Sequence, residues 1–423
     1  MTLSLNNEQE NAVSCLEAFC LAPFDEDAPF FLLFGPAGTG KTYCIKELIE
    51  RVKGRLVFTA PTNKATKVLR TSVTSDDYKP ECRTIYSLLG LQLSTDGEIK
   101  EVVKPEDPLD LTKFAAVIVD EASMVNAQLM TFIKETSGLQ RVKFIFMGDA
   151  CQLPPVKELA SPAMLIEARA ELKKVMRHDN AILTLATEIR LKQKHPSPSI
   201  KFATSLDNKA EGVWVAGDAF KQTISTFAAN GEFSSGLAKA IAWRNVSVDA
   251  LNLEIRKVIY PDSWQVAWQA GDRITLLSPA KDLEEKVIAT TDDEGVVNSV
   301  KIIQHPQERD FKVYYLSITL DTNNVVGLYV LHPDSQRKFT EQKEALAAEA
   351  RGNREVWKQF WSFTETFHQV RHGYATTAHR AQGSTYRNVF VDWRDILLNK
   401  NRAEAFRCLY VACTRAQKVL VLN

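Results

Sequence analysis

An apolar run that opens into a glycine-rich loop constrains this chain most. Residues 30–34 form the run, and the loop after it has the spacing G-x-x-x-x-G-K-T. The loop residues are Gly35, Pro36, Ala37, Gly38, Thr39, Gly40, Lys41 and Thr42. Glycines let backbone N–H groups approach a phosphate, and the following helix, expected over 44–52, directs its N-terminus at the anion. Lys41 supplies charge for the β and γ phosphates, and the Thr42 hydroxyl is placed to bind Mg²⁺. The loop therefore predicts a nucleotide site.

Length, charge and cysteine content limit the class of protein. At 423 residues the chain is expected to hold about two to four compact domains. Lys plus Arg (52) equal Asp plus Glu (52), so any nucleic-acid site has to be local. Seven cysteines without a C-x-x-C pair predict a reduced, cytoplasmic protein without structural zinc. The polar N-terminus and the absence of long apolar runs predict no signal peptide and no membrane partner.

Short apolar runs alternate with helical patterns in both halves of the chain. The runs are 30–34, 56–59, 115–119 and 144–147 in the first half, and 213–216, 240–243, 389–392 and 419–422 in the second. Continuously apolar strands separated by helices are typical of parallel sheets covered on both faces. The sequence therefore predicts an α/β fold with two parallel-sheet lobes.

Two segments interrupt this alternation. Residues 90–108 are polar, with two short alternating runs around Asp96-Gly97, and predict a β-hairpin. Residues 271–332 hold β-rich runs at 273–277, 313–320 and 325–331, separated by polar turns such as 291–295. They predict a small β-barrel inserted into the second lobe, followed by helices over 340–351 and 355–367.

A second acidic motif and a glutamine loop follow the phosphate loop. The apolar run 117–119 ends in Asp120 and Glu121. Asp120 can hold Mg²⁺ through water, and Glu121 can orient and deprotonate the water that attacks the γ-phosphate. Solvated acids at a strand end would be the ordinary interpretation without the phosphate loop. Gln152, in 148–156, can bond the γ-phosphate or the attacking water, or it can simply cap a polar loop.

Four motifs together resemble superfamily 1B helicases of the RecD and Dda type. The first two are D-E-A-S-M at 120–124 and G-D-x-x-Q-L-P-P-V at 148–156. The others are T-x-H-x-x-Q-G at 377–383 and Y-V-A-x-T-R-A at 410–416. The resemblance covers nearly the whole chain and is weakest in the hairpin and in the β-rich insertion.

The resemblance implies a fold and a division into domains. It implies two RecA-like P-loop lobes, a hairpin pin inserted in the first, and an SH3-like β-barrel inserted in the second. The expected boundaries are 1–88 with 109–177 for the first lobe, 89–108 for the pin, 178–270 with 368–423 for the second lobe, and 271–367 for the barrel and helices.

It also implies roles around ATP. Gln9 resembles the glutamine that reads adenine in this family. Arg177 and Arg415 resemble the two arginines that enclose the γ-phosphate, where a planar cation suits the developing charge. Arg177 can also be a surface arginine at a helix end. Gln382 and Gly383 are expected to line the same cleft.

The same resemblance implies contacts to a nucleic-acid strand. The expected residues are Pro61, Thr62, Asn63, Lys64, Thr84, Asn245, Trp357, Thr376, Thr377 and His379. Arg244 departs from the family pattern A-x-T-N, because threonine is more usual at its position. Trp357 lies in an aromatic helix whose spacing of three and four also fits an ordinary buried face. The pin has no aromatic residue at its tip.

The resemblance implies an ATP- and Mg²⁺-dependent DNA helicase that moves 5′ to 3′ on single strands and unwinds forked or tailed duplex. It implies a monomer in a bacterial or phage-infected cytoplasm, with replication, recombination or repair proteins as partners. Three alternatives remain from the residues alone. The chain can be an ATP-dependent switch that clamps nucleic acid or protein, a nuclease–helicase subunit, or a scaffold without enzymatic activity. The complete set of Lys41, Thr42, Asp120 and Glu121 argues against the scaffold.

Overall fold

The structure is a computed structural model that describes residues 5–53, 55–93, 99–101, 110–175, 181–194, 200–351 and 353–423. The chain forms two compact units. One comprises Met1–Phe220, Ile241–Arg244 and Thr377–Asn423, and the other comprises Lys221–Ala240 and Asn245–Thr376. The expected segmentation into two lobes, a pin and an insertion has other boundaries, since its second lobe, 178–270 with 368–423, includes residues of both units, and it stays a prediction.

Polar side chains cap the start of most helices in the described part of the chain. The helices are α1 Asn7–Leu21, α2 Lys41–Arg51, α3 Asn63–Val73, α4 Ile85–Leu89, α5 Ala127–Gln140, α6 Ala181–Lys194, α7 Phe220–Ala229, α8 Asn245–Ile259, α9 Pro333–Glu349, α10 Arg354–Glu365, α11 Ala378–Ala381, α12 Trp393–Ile396 and α13 Arg402–Thr414. The expected start at residue 340 was wrong. Pro333 occupies the first position of α9 and His332 caps it, so the helix begins earlier than its Ala-rich segment.

The strands agree with most of the apolar runs. They are β1 Phe30–Phe34, β2 Leu56–Ala60, β3 Cys82–Thr84, β4 Leu91–Leu93, β5 Ile99–Glu101, β6 Ala116–Val119, β7 Phe144–Gly148, β8 Arg169–Glu171, β9 Ser205–Leu206, β10 Gly212–Val215, β11 Ala238–Ala242, β12 Arg273–Leu276, β13 Ala280–Lys281, β14 Val287–Ala289, β15 Glu294–Gln304, β16 Lys312–Leu320, β17 Val325–Leu331, β18 Val370–His372, β19 Ala375–Thr377, β20 Tyr386–Val391 and β21 Ala416–Leu422.

The first sheet is parallel throughout and carries the phosphate loop. Its order is β3-β2-β6-β7-β1-β8. Alternate residues of β1 point to opposite faces, so Leu32 packs with α5 while Phe31 and Leu33 pack with α1 and α2. Helices on both faces explain why these strands are continuously apolar. The carboxyl ends of β1, β2, β6 and β7 meet at one edge, where the candidate site lies.

The second sheet has the order β19-β11-β20-β21-β10-β9. Strand β21 pairs in parallel with β20 and with β10, and β9 is an antiparallel edge strand. Its core includes Val389 and Val391 of β20, and it also includes Phe406, Leu409 and Tyr410 of α13. The predicted α/β architecture with two sheets is confirmed.

The β-rich segment forms a five-stranded antiparallel sheet with the order β17-β16-β15-β12-β18. The expected polar turn over 291–295 was partly wrong, because Glu294 and Gly295 begin β15. The backbone of Glu294 pairs with β12, and its buried carboxylate lies 2.9 Å from the Lys239 ammonium, which compensates its charge. Whether this sheet is an SH3-like barrel stays a prediction.

The expected hairpin is present in part. Strands β4 and β5 pair antiparallel, with Leu93 opposite Ile99. The turn at Asp96-Gly97 lies outside the described residues, and the role of this pair as a pin stays a prediction. No helix within the described ranges is long and apolar enough to span a membrane.

Candidate active site

The phosphate loop connects β1 to α2 and is packed closely on both sides. A Cβ on Gly35 would lie 2.3 Å from the carbonyl oxygen of Leu172, just beyond β8. Gly38 and Gly40 have φ of +80° and +89°, in the left-handed region. A Cβ on Gly40 would also lie 2.4 Å from the Gln9 side-chain nitrogen. The glycines of the motif are therefore required by conformation and by space.

Lys41, the first residue of α2, folds back over its own loop. Its ammonium donates to the carbonyl oxygens of Gly35 at 2.6 Å and Pro36 at 3.0 Å. The buried Thr39 hydroxyl also donates to Pro36, at 2.9 Å. These bonds hold the positive charge at the loop where an anion is expected. Thr42 follows in the first turn of α2 and is half-buried.

Gln9 lies beside the phosphate loop but uses both ends of its amide within the protein. Its oxygen accepts the Asn6 N–H at 3.1 Å in a capping box, and its nitrogen donates to the Thr39 carbonyl at 3.1 Å. Gln9 is 3% exposed. It therefore supports the loop in this structure, and its role in reading adenine stays a prediction.

Asp120 and Glu121 lie at the carboxyl end of β6. An oxygen of Asp120 accepts the Glu121 N–H at 2.8 Å, and Glu121 has a φ of +53°, which is rare for a residue with a Cβ. Removal from water raises the pKa of Asp120, and the Glu121 N–H, Lys41 and Arg415 oppose this shift. Removal from water and the Asp120 carboxylate raise the pKa of Glu121 to about 7. A carboxylate with such a pKa can take a proton from water near neutral pH.

Gln152 is joined directly to the motif at 377–383. The Gln382 amide nitrogen lies 3.3 Å from the Gln152 side-chain oxygen, and it donates to the Ser123 hydroxyl at 3.0 Å and to the Leu153 carbonyl at 3.3 Å. Gln382 is buried. Three motifs that lie far apart in the sequence therefore meet at one buried side chain.

Tyr410, which the sequence prediction did not include among site residues, bonds two parts of the candidate site. Its hydroxyl accepts the Ala37 N–H at 3.1 Å and donates to the Asp149 carboxylate at 2.6 Å. Tyr410 is 1% exposed and lies in α13. Burial, with Asp149 beside it, raises the pKa of the phenol, which therefore stays protonated. The Y-V-A-x-T-R-A motif contains Tyr410, but nothing in its sequence shows which partners it meets.

Arg415 is buried directly after α13. Its guanidinium donates to the carbonyl oxygens of Val411 and Ser384, both at 3.1 Å, and to the Thr414 hydroxyl at 3.2 Å. It is close enough to lower the pKa values of Asp120 and Glu121. In this structure the charge of Arg415 therefore acts on both acidic side chains, while its N–H groups are bonded to Val411, Ser384 and Thr414. Arg177 lies outside the described residues.

Three of the expected strand-contact threonines cap helices. The hydroxyl oxygen of Thr62 accepts the Ala65 N–H at 3.2 Å, at the start of α3. Thr84 caps α4 and Thr377 caps α11 in the same way. A capping hydroxyl keeps its own hydrogen, which it can still donate to a phosphate oxygen. Thr62, with the half-buried Asn63 and Lys64, remains accessible from the surface, whereas Pro61, Thr376 and Thr377 are buried.

His379 is exposed and forms an ion pair with α13 when it is protonated. Its Nε2 lies 3.4 Å from a carboxylate oxygen of Glu404. Asn245, at the start of α8, accepts a hydrogen bond from Arg371 at 2.9 Å. These contacts do not occupy every polar atom of either side chain, so a role in binding a strand stays a prediction.

The departure at Arg244 has a local explanation. Asp395 accepts the backbone N–H groups of Trp243 and Arg244 at 2.8 and 2.9 Å, and it accepts the Arg244 Nε at 2.6 Å. The arginine thus holds a loop through a buried carboxylate.

Nearby in sequence, Asn252 has a positioning role that the sequence did not reveal. Its side-chain oxygen accepts the N–H groups of Tyr374 and Ala375 at 3.0 and 2.8 Å.

The aromatic helix α10 divides between core and surface. Phe360 and Phe363 are buried, whereas Trp357 is 40% exposed and lies 6.4 Å from Trp361, ring centre to ring centre, in a stacked arrangement. The interpretation of this spacing as an ordinary buried face therefore holds for Phe360 and Phe363 but not for Trp357. Trp357 keeps an exposed ring, and stacking on a base stays a prediction.

Gly383 brings the 377–383 motif against α3. It has a φ of +74°, and a Cβ there would lie 2.9 Å from the Ala65 Cβ and 3.4 Å from the Thr62 hydroxyl. Both the backbone conformation and the space therefore require glycine.

Gly383→Ala is expected to lower the free energy of unfolding by about 1–3 kcal/mol, because it adds strain and a steric contact. Denaturant unfolding measures the change. Gly138→Ala is the matched control, since Gly138 lies in α5 and a Cβ there meets nothing within 4 Å. Alanine at that position is expected to stabilise the chain by about 1 kcal/mol. Equal stabilities of the two variants would contradict the close approach at Gly383.

Comparisons with known proteins agree with these motifs. Residues 4–208 match a family model described as an AAA domain, and residues 372–423 match the UvrD-like helicase C-terminal domain. The ATP-dependent DNA helicase dda of Enterobacteria phage T4 is 25% identical over 435 residues, which cover 90% of this chain and 92% of that protein.

Two solved structures share the fold. Pif1 helicases solved for DNA unwinding at forked duplex align with a TM-score of 0.53 at 16% identity, covering 99% of this chain and 92% of theirs. The Bacteroides Pif1 helicase with ADP-AlF3 and single-stranded DNA aligns with a TM-score of 0.50 at 15% identity, with the same coverages. The fold is thus the two-lobed RecA-like fold of helicases. Both family models and the phage relative agree along the chain, which is therefore similar to the Dda-type helicases.

Proposed function

We propose that this chain is an ATP-dependent DNA helicase that moves 5′ to 3′ along single-stranded DNA and unwinds forked or tailed duplex. One observation carries the proposal. The Gln382 amide is bonded to both Ser123 and Gln152, so the motif that begins with the candidate strand contact Thr377 meets the candidate γ-phosphate sensor. Such a contact can transmit a change at ATP to a change at the strand.

Thr42 and Asp120 are proposed to hold Mg²⁺. A hydroxyl and a carboxylate are the hard oxygen donors that this ion prefers, and one Asp120 oxygen is already held by the Glu121 N–H, which leaves the other for a water ligand. When bound, the ion neutralises charge on the β and γ phosphates. A nearby cation also fits a site in which two carboxylates lie close together.

The chain's own residues are proposed to divide the hydrolysis between them. Lys41 moves from the Gly35 and Pro36 carbonyls to the phosphates, and Glu121 takes a proton from the attacking water. Arg415 exchanges its carbonyl partners for the γ-phosphate. Loss of that phosphate then returns Arg415 to Ser384 and Val411, so each turnover makes and breaks the same bonds.

The strand is proposed to pass over two groups of residues. Thr62, Asn63 and Lys64 belong to the first lobe, and Thr377 and His379 belong to the second. Alternate tightening of the two groups would convert turnover into steps along DNA. The 5′ to 3′ direction, a role for the β4–β5 pair in splitting duplex, a monomeric state, and service in replication, recombination or repair are implied by the family resemblance and are part of the proposal.

Measurements of ATP hydrolysis and unwinding test the proposal. Single-stranded DNA is expected to raise the ATPase rate, with duplex DNA and RNA as comparison polymers. Unwinding is then measured on duplexes with a 5′ tail, a 3′ tail or blunt ends, and only the 5′-tailed and forked substrates are expected to open. Failure of every polymer to stimulate hydrolysis would contradict a motor and favour a nucleotide-dependent clamp. Opening from a 3′ tail alone would contradict the direction.

A further inference from the structure

The hydroxyl of Tyr410 lies between two loops of the ATP site. It accepts the N–H of Ala37, which belongs to the phosphate loop, at 3.1 Å. It donates to a carboxylate oxygen of Asp149, which follows β7, at 2.6 Å. Tyr410 and Asp149 are 1% and 3% exposed. Solvent therefore has little access to either side chain, and a hydrogen bond in this low-dielectric environment is stronger than one in water.

Asp149 extends this arrangement to Gln152. Its second carboxylate oxygen accepts the Cys151 N–H at 2.9 Å, and its carbonyl oxygen accepts the Gln152 N–H at 3.1 Å. The carboxylate thus shapes the turn that presents the Gln152 side chain to Gln382. Through Asp149, the Tyr410 hydroxyl fixes the loop of the candidate γ-phosphate sensor as well as the phosphate loop.

The helix that carries Tyr410 also reaches Arg415 and the candidate strand contacts. Arg415 follows the last residue of α13. Glu404, near the start of α13, lies 3.4 Å from the exposed His379. Ala378 and Ala381 of α11 share a core with Leu409. A displacement of α13 that accompanies strand binding would therefore move Tyr410 with it.

A purely structural role is the competing explanation, because any buried carboxylate needs a hydrogen-bond donor. That explanation accounts for the hydrogen bond to Asp149, but it does not explain why the same hydroxyl accepts the Ala37 N–H. Phosphate loops present their backbone N–H groups to phosphates. A tyrosine that binds one of these groups controls where the loop lies relative to α13.

We propose that Tyr410 is a positioning residue for ATP hydrolysis: its hydroxyl holds the phosphate loop and the Gln152 loop at the distance from α13 that lets Gln152 and Arg415 act on the γ-phosphate together. The inference rests on the proposed function and adds a residue to it. Tyr410 acts through its neighbours, so its loss affects the transition state more than the binding of ATP, which Lys41 and the other loop N–H groups still provide.

Tyr410→Phe removes the hydroxyl and keeps the ring in the core. The expected result is a kcat for DNA-stimulated ATP hydrolysis about tenfold lower, which corresponds to the loss of one well-placed hydrogen bond. The KM for ATP and the Kd for single-stranded DNA are expected to stay within about twofold. The kcat is measured at saturating DNA, so that altered strand affinity does not contribute.

Tyr374→Phe is the matched control. Tyr374 is a fully buried tyrosine in the other unit, and its hydroxyl donates to the buried Asp272 at 3.2 Å. The variant therefore loses the same kind of bond in a network that does not include the phosphate loop, and its kcat at saturating DNA is expected to stay within about twofold. Both variants are compared by melting temperature, which reports any general loss of stability.

Tyr410→Phe leaves the Asp149 charge buried with one donor fewer and can unfold the chain. The double variant Tyr410→Phe/Asp149→Asn removes that charge, so it is expected to recover the melting temperature while kcat stays about tenfold low. Recovery of kcat together with stability would overturn the inference, and so would an unchanged kcat in Tyr410→Phe or equal losses in Tyr374→Phe. Absence of DNA-stimulated hydrolysis in the unaltered protein would instead contradict the proposed function.

Discussion

Replacing Lys41 by alanine is expected to lower the kcat of ATP hydrolysis at least about a hundredfold, because it removes the positive charge that faces the β and γ phosphates. The structure places this ammonium on the Gly35 and Pro36 carbonyls, at 2.6 and 3.0 Å, within the loop that would cradle the phosphates. The change is measured as phosphate release at saturating ATP and single-stranded DNA. Duplex unwinding is expected to fall in parallel.

Lys46→Ala provides the matched control for that result. Lys46 lies on the same helix, α2, but it is exposed on the helix surface. Its removal is expected to leave kcat within about twofold, since exposed charges contribute little. A Lys41→Ala variant that hydrolyses ATP at the normal rate would contradict the assignment of the phosphate loop. A variant that loses ATP hydrolysis but still unwinds duplex would show that strand separation does not depend on this nucleotide site.

The parts of the fold that are determined by residues close together in the sequence could be predicted. The sequence places β1 at 30–34, and the structure has the same bounds, because a continuous apolar run followed by a glycine loop leaves few alternatives. Strand β8, Arg169–Glu171, has two exposed charged residues around a half-buried alanine and was not predicted. It exists because its backbone pairs with β1, and such pairing leaves no mark in the side-chain pattern.

The residues of the candidate site could be predicted from their motifs, but the contacts between those residues could not. The glycine loop, Asp120-Glu121 and Gln152 are local patterns, and the structure brings Gln152 to Gln382. Tyr410 meets Ala37 across 373 residues of sequence, and no local pattern reports a contact of that kind. Gln9 is a residue whose motif predicts a contact that the structure does not contain. The family resemblance implies a contact with the nucleotide, whereas both ends of the Gln9 amide are bonded inside the protein.

Arg415→Ala is expected to lower the kcat of DNA-stimulated hydrolysis by about a hundredfold or more, the range typical of an arginine that stabilises the charge on a transferring phosphoryl group. Its loss also removes the arginine donor from the buried Ser384 carbonyl, whereas the Val411 carbonyl keeps the Thr414 hydroxyl as a donor, and the change is expected to cost about 1–3 kcal/mol of stability. Stability and catalysis therefore have to be separated. Arg402→Ala is the control, since Arg402 begins the same helix, is exposed and donates to Leu397 at 3.1 Å.

Arg415→Lys makes that separation. Lysine keeps the charge and can donate to one of the carbonyls, but it lacks the planar fork that binds two oxygens together. If Arg415 acts on the γ-phosphate, the lysine variant recovers most of the melting temperature while kcat stays at least about tenfold low and ATP still binds. Recovery of kcat in step with the melting temperature would mean that Arg415 only holds the end of α13. The motif at 410–416 would then contribute to hydrolysis through Tyr410 alone.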